Sequence, residues 1–151
     1  MCRTRLIFHH RIFFVDTFSK KERSEIMRRV KGKGNRSTEQ RLVALLRERQ
    51  LSGWRRHLPL PGKPDVAYPR QKVAIFVDGC FWHGCPRHCR IPATNRAYWT
   101  RKIERNKMRD RCCTRELKQN GWTVIRIWEH EFGAASLTRK LNRLAGLLGR
   151  E

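Results

Sequence analysis

Apolar positions recur along this chain with two periods. Leu42, Leu45 and Leu46 follow STEQ at helical spacing, and leucines at 137, 141, 144, 147 and 148 repeat that spacing further on, which predicts two amphipathic helices. KVAIFVD is a continuous apolar run of the buried-strand type, DVAY and WTVIRIWE are two further strands, and WRRHLPL is extended. PRQK is a turn joining DVAY to KVAIFVD, so the hairpin sets Asp65 about opposite Phe76 and Val77. Ala97 to Asn120 forms one long helix rich in Arg and Lys, with Gly121 at the left-handed position that closes it. Ser19 and Glu22 make a capping box for a short basic helix, KKERSEIMRRV, which ends at KGKGN, and Ser37 to Gln40 repeats the box before the Leu42 helix. From Ser37 onward the order is helix, three strands, long helix, strand, helix. That is an α/β chain whose long helix is a crossover between parallel strands.

Charge narrows the class of partner. The 151 residues carry 35 Lys and Arg against 13 Asp and Glu, a net charge of +22 spread from end to end, and such a field favours nucleic acid. No stretch has the length and apolarity of a membrane span. Of six cysteines, three cluster at 80, 85 and 89, two are the adjacent Cys112 and Cys113, and Cys2 stands apart, a pattern of reduced cytoplasmic thiols rather than of a disulfide scaffold. The opening MCRTRLIFHHRIFF has an apolar part broken by HHR and no small-residue cleavage site, so it does not read as a signal peptide. Residues 1–15 read as an extension or arm, and 16–151 as a single domain.

Two constellations carry chemistry. Pro64-Asp65, then Phe76-Val77-Asp78 at a strand end, behind a helix bearing Glu39, is the layout of a two-strand metal site for phosphodiester hydrolysis. Hard carboxylate and carbonyl oxygens suit Mg²⁺. The stretch GCFWHGCPRHC supplies thiols and imidazoles. Cys80, Cys85 and His88, with His130 from WEHE, have the types and number for one tetrahedral zinc without an open position; Cys89 substitutes for His88 equally well on spacing. Reduced buried cysteines are the plainer alternative. Cys112 and Cys113 read as helix-face residues. Phe81 and Trp82, with Trp99 beyond them, are either hydrophobic core or a wedge that enters a duplex between base pairs, whereas Trp54, Trp122 and Trp128 are assigned to core.

PGKPDV, VAIFVDGCFWHGCP, IPATNRAYW, RNKMRDR and GWTVIRIWEHE, in that order, resemble the very-short-patch mismatch endonucleases, which nick DNA 5′ to the thymine of a T:G mispair. The resemblance covers about residues 16 to 131. It implies a restriction-endonuclease-like fold of the PD-(D/E)XK type, a structural zinc, and a cytoplasmic, nucleoid-associated bacterial enzyme that acts as a monomer on T:G-mismatched double-stranded DNA beside other mismatch-repair proteins. It also implies that Asp65 and the Val77 carbonyl hold Mg²⁺, that His83 activates the attacking water, that Glu39 and Asp110 support the site, and that Phe81, Trp82 and Trp99 intercalate next to the mismatch. Family members often have Thr at Val77 and Cys at His130, changes that a main-chain ligand and a tetrahedral zinc both accept. Asp78 stands where some have a second histidine; it either holds a water of the metal site or orients His83. The strand lacks the lysine of the wider nuclease signature, so a histidine base must cover that proton transfer. The plainer alternatives are a zinc ligand or polar loop residue for His83 and a surface ion pair for Asp110; catalysis is the reading taken for His83, because its neighbours already supply enough metal ligands. Competing functions are a restriction-type or damage endonuclease of the same fold, and a zinc-stabilised DNA-binding module without catalysis.

Overall fold

The computed structural model describes residues 38–150. The expected basic helix KKERSEIMRRV, the arm at 1–15 and Ser37 of the second capping box lie outside the described residues. Helix α1 spans Glu39–Glu48 and begins behind Thr38, whose carbonyl accepts the Leu42 N–H at 3.0 Å but whose side chain makes no cap hydrogen bond. Strands β1 (Arg55–Arg56), β2 (Val66–Tyr68) and β3 (Val73–Asp78) follow, then α2 (Arg96–Gln119), β4 (Thr123–Trp128), a 3-10 turn (Glu129–Glu131) and α3 (Ala135–Leu147). The four strands form one sheet in the order β1-β2-β3-β4; β1/β2 and β2/β3 are antiparallel, and β3/β4 is parallel across the α2 crossover.

The extended stretch expected over WRRHLPL is shorter than its composition implies. It keeps only Arg55 and Arg56 in the sheet, because His57 turns to a φ of +51°, a left-handed conformation that ends the strand. The long helix has the expected length, displaced by one residue. It closes in a Schellman turn, with Gly121 at φ +77°, the Gly121 N–H on the Lys118 carbonyl and the Trp122 N–H on the Leu117 carbonyl.

Side chains of β3 alternate between two apolar layers, and that alternation explains its unbroken run of apolar residues. Val73 and Ile75, with Ile125 and Ile127 of β4, pack against Leu42 and Leu46 of α1 and Leu137, Leu141 and Leu144 of α3. Each leucine so buried contributes about 2 kcal/mol. Ala74 and Phe76 turn the other way, onto Leu117 of α2 with Trp122 and Val124 beside them. Asp78, Arg126 and Trp128 continue this second face beyond the end of its apolar patch. They stand next to the middle of α2, which buries only Trp99, Ile103 and Leu117 of its 24 residues. No helix among the described residues is long and apolar enough to cross a membrane.

Candidate active site and metal centre

The hairpin puts Asp65 where its sequence position suggested. Val66 pairs with Ile75, so Asp65 lies level with Phe76, and its Oδ2 accepts the Val77 N–H at 2.7 Å. Burial pushes this carboxyl above its ordinary range; the Val77 hydrogen bond offsets part of that, while Glu39 and Asp78 add to it. No Lys, Arg or His among the described residues forms an ion pair with it. A half-buried carboxylate left in this condition, next to other carboxylates, suits a divalent cation with oxygen ligands.

His83 comes to the same place from the loop after β3. Its Nδ1 lies 2.6 Å from Oδ2 of Asp110 on α2 and 3.5 Å from Oδ1 of Asp78. Asp110 is therefore no solvated surface charge. Burial raises its pKa, but the hydrogen bond and charge of His83 and the guanidinium of Arg126 outweigh that and hold it below the usual carboxylate range. Asp65, Val77, Asp78, His83 and Asp110 all line one pocket of about 220 Å³. Glu39 is 3 % exposed and takes Arg56 Nε at 2.9 Å and His57 Nε2 at 3.2 Å, which ties α1 to the end of β1.

Asp78 lines the same pocket and lies near His83, but its principal partner is an arginine of β4. At 2 % exposure it is gripped by Arg126, whose Nε donates to Oδ2 at 2.6 Å and Nη2 to Oδ1 at 2.5 Å; His83 is further away and closer to Asp110. Arg126 also reaches Asp110 at 3.3 Å and Thr114 at 3.4 Å, and its guanidinium lies 5.0 Å from the centre of the Phe76 ring. This arginine was missed in the sequence. The available signal was an Arg in an otherwise apolar strand, WTVIRIW, on the face opposite Ile125 and Ile127.

The cysteine-rich loop folds back on itself through bonds from the Cys85 N–H to the Cys80 carbonyl at 2.9 Å and from the Cys89 N–H to the Cys85 carbonyl at 3.0 Å. Asn106 of α2 donates to the Trp82 carbonyl at 2.8 Å, and Gly84, at φ +64°, approaches so closely that a Cβ there would meet Ile103 at 2.7 Å. Held this way, Cys80, Cys85, His88 and His130 bring their ligand atoms within 4.8 Å of one another. Separations of 3.2 Å (Cys80 Sγ to His130 Nδ1), 3.6 Å (Cys85 Sγ to His130 Nδ1) and 3.7 Å (Cys85 Sγ to His88 Nδ1) are three of the six edges between these four ligand atoms. Zinc bonds of about 2.3 Å to sulfur and about 2.0 Å to nitrogen require edges of about 3.3 to 3.8 Å. Burial and the Cys85 sulfur push the Cys80 thiol above its ordinary value, and a bound cation reverses that by taking thiolates. Cys89 is not in the group; its Sγ faces the Phe81 carbonyl at 3.6 Å. Cys112 and Cys113 lie on α2, exposed and half-buried, away from this cluster.

Phe81, Trp82 and Trp99 form an edge-to-face cluster with ring centres 5.2 to 6.1 Å apart. Trp99 is buried and the loop pair half-exposed. Trp54 and Trp122 pack against the two apolar layers as expected. Trp128 does not belong to the core, because it sits at the open end of the second face, beside His130 and along the cleft between α2 and β4.

Residues 15–90 match the family described as DNA mismatch endonuclease Vsr. The DNA mismatch endonuclease Vsr of Escherichia coli is 36 % identical over 117 residues, 76 % of this chain and 73 % of that protein. The type II nicking enzyme V.XorIIP of Xanthomonas oryzae is 37 % identical over 122 residues, 77 % and 85 % of the two chains. V.NaeI of Lentzea aerocolonigenes, a type II nicking enzyme, reaches 54 % over 69 residues, 46 % of this chain and 42 % of its own length. The chain belongs to the Vsr family. The family match takes in Asp65, His83 and the cysteine loop, while Asp110, Arg126 and His130 lie beyond it and join the site only through the fold. For this Vsr-family endonuclease, Arg126→Met leaves Asp78 buried without its partner. It is expected to cost about 3 kcal/mol, much of it recovered in the double variant with Asp78→Asn. Urea denaturation of both single variants and the double variant measures the coupling; strictly additive losses would show that the pair is not a unit.

Proposed function

We propose that the chain nicks double-stranded DNA 5′ to the thymine of a T:G mispair by Mg²⁺-dependent hydrolysis of one phosphodiester bond, on a restriction-endonuclease-like fold. The observation that carries this reading is the His83–Asp110 pair at 2.6 Å lining the same pocket as Asp65 and Val77. Asp65 and the Val77 carbonyl would hold Mg²⁺, which when bound supplies positive charge to the phosphate. With Nδ1 donating to Asp110, His83 keeps its Nε2 lone pair for the proton of the attacking water, the role of a general base oriented by a carboxylate. Asp78 and Arg126 hold that carboxylate in place. The names of two relatives as nicking enzymes support a cut in one strand.

Cys80, Cys85, His88 and His130 would hold zinc. All four positions of a tetrahedron would be filled, so its work is to tie the loop after β3 to the turn after β4. That tie presents Phe81 and Trp82, backed by buried Trp99, as the wedge. Insertion costs a few kcal/mol of unstacking and costs least where pairing is already poor.

The test is the nicking rate on duplexes carrying each mismatch, with Mg²⁺ or with EDTA. Nicking of T:G over paired DNA is expected, with none in EDTA, and Phe81→Ala with Trp82→Ala is expected to lower that preference together with the rate. A Mg²⁺-replete wild-type protein that binds mismatched DNA without cutting it would favour the DNA-binding module instead.

A further inference from the structure

We infer that the cleft beside the catalytic pocket is the track for one DNA strand leading away from the cut. The inference rests on the endonuclease reading above and adds the path of the substrate. The cleft encloses about 780 Å³ between α2 and β4, and Asp78, His83, Asp110 and Arg126 line both it and the catalytic pocket. The two hollows therefore share a boundary at the reacting groups.

Its charge lies on one wall. Lys107, Arg111, Arg115 and Lys118 line the cleft at helical steps of four, four and three, a single face of α2. Lys107 pairs with Glu104 at 3.0 Å, but Arg111, Arg115 and Lys118 make no ion pair among the described residues. The two carboxylates that reach the cleft are already engaged, Asp78 by Arg126 and Asp110 by His83 and Arg126. What is left is a cationic wall facing Trp128, with no acidic group available to a peptide's cations. The eleven helical steps from Lys107 to Lys118 rise about 16 Å, the rise of about five nucleotides in one strand. A linear polyanion matches that spacing; a single phosphate would use one cation of the four.

The alternative is that these cations are a solvated face like the rest of a basic chain, and the experiment separates the two. Arg115→Ala with Lys118→Ala is compared with Arg139→Ala with Arg143→Ala, an equal loss of charge from exposed positions on α3. Binding and nicking are measured on T:G duplexes shortened one flank at a time, over a range of salt. For the cleft variant, the slope of log Kd against log salt is expected to fall by about two, and affinity ceases to improve as one flank grows from about two to about six base pairs. Its dependence on the other flank matches wild type, and the α3 variant keeps both. Equal slopes in the two variants, or a cleft variant with wild-type dependence on both flanks, would overturn the inference. A wild-type protein that nicks no mismatched duplex would remove the proposed function instead, and binding on the same duplexes would still read the cleft.

Discussion

His83→Ala is expected to slow nicking of a T:G duplex by about a hundred- to ten-thousand-fold, the range for loss of a general base. Asp65→Ala is expected to reduce it at least as far, because it removes the side chain proposed to hold the cation. Neither change touches the basic surface, so binding to the same duplex in low salt stays close to wild type. Asp110→Asn separates position from charge. An amide still accepts from His83 Nδ1–H but no longer stabilises the imidazolium that forms, so its loss is intermediate. Asp110 sits below the usual carboxylate range in the folded chain, and its contribution to stability is therefore present above its unfolded value and lost only as pH falls through the folded one. At neutral pH it is ionised and ready to hold His83. Single-turnover rates with saturating enzyme, alongside binding, measure the split. Wild-type cutting by either alanine variant would remove the site assignment, and equal losses of binding and cutting would show that these residues serve affinity.

The second large effect is on stability. Protein purified without chelators is expected to carry one zinc per chain, and Cys85→Ser to release it and lower the Tm by about 10 °C or more. That follows from a structural site whose binding free energy is folding free energy, of which the loss of one ligand takes at least about 3 kcal/mol. Cys85 is 2 % exposed, so a strong chelator should act only slowly on the wild type. Cys89→Ser and Cys112→Ser serve as controls, since neither sulfur lies in the cluster, and both should keep zinc and Tm. Zinc content by elemental analysis and thermal melts decide it. A wild-type protein that is stable and holds no zinc would sink the assignment.

Periodicity and local signals carried the elements because they depend on a few neighbouring residues. The leucine faces of α1 and α3, the buried run of β3, and the Gly121 closure all follow from side-chain spacing or a single φ requirement. Asp65 was legible too, since one hairpin turn sets its register with Val77. The cysteine loop announced its ligand types, but its spacing left His88 and Cys89 equal. Only the folded loop separates them, by turning Cys89 toward Phe81 and bringing His130 across from the end of β4. Arg126 and its grip on Asp78 could not be read along the chain, because the contact joins residues 48 apart on two strands paired through a crossover helix. The same holds for Asp110, whose role depends on which face of a uniformly basic helix meets the sheet. Sequence fixes the face of a strand through its two-residue alternation, whereas the rotation of a helix with few apolar anchors is decided by packing, and here Ile103 and Leu117 turn Asp110 toward His83.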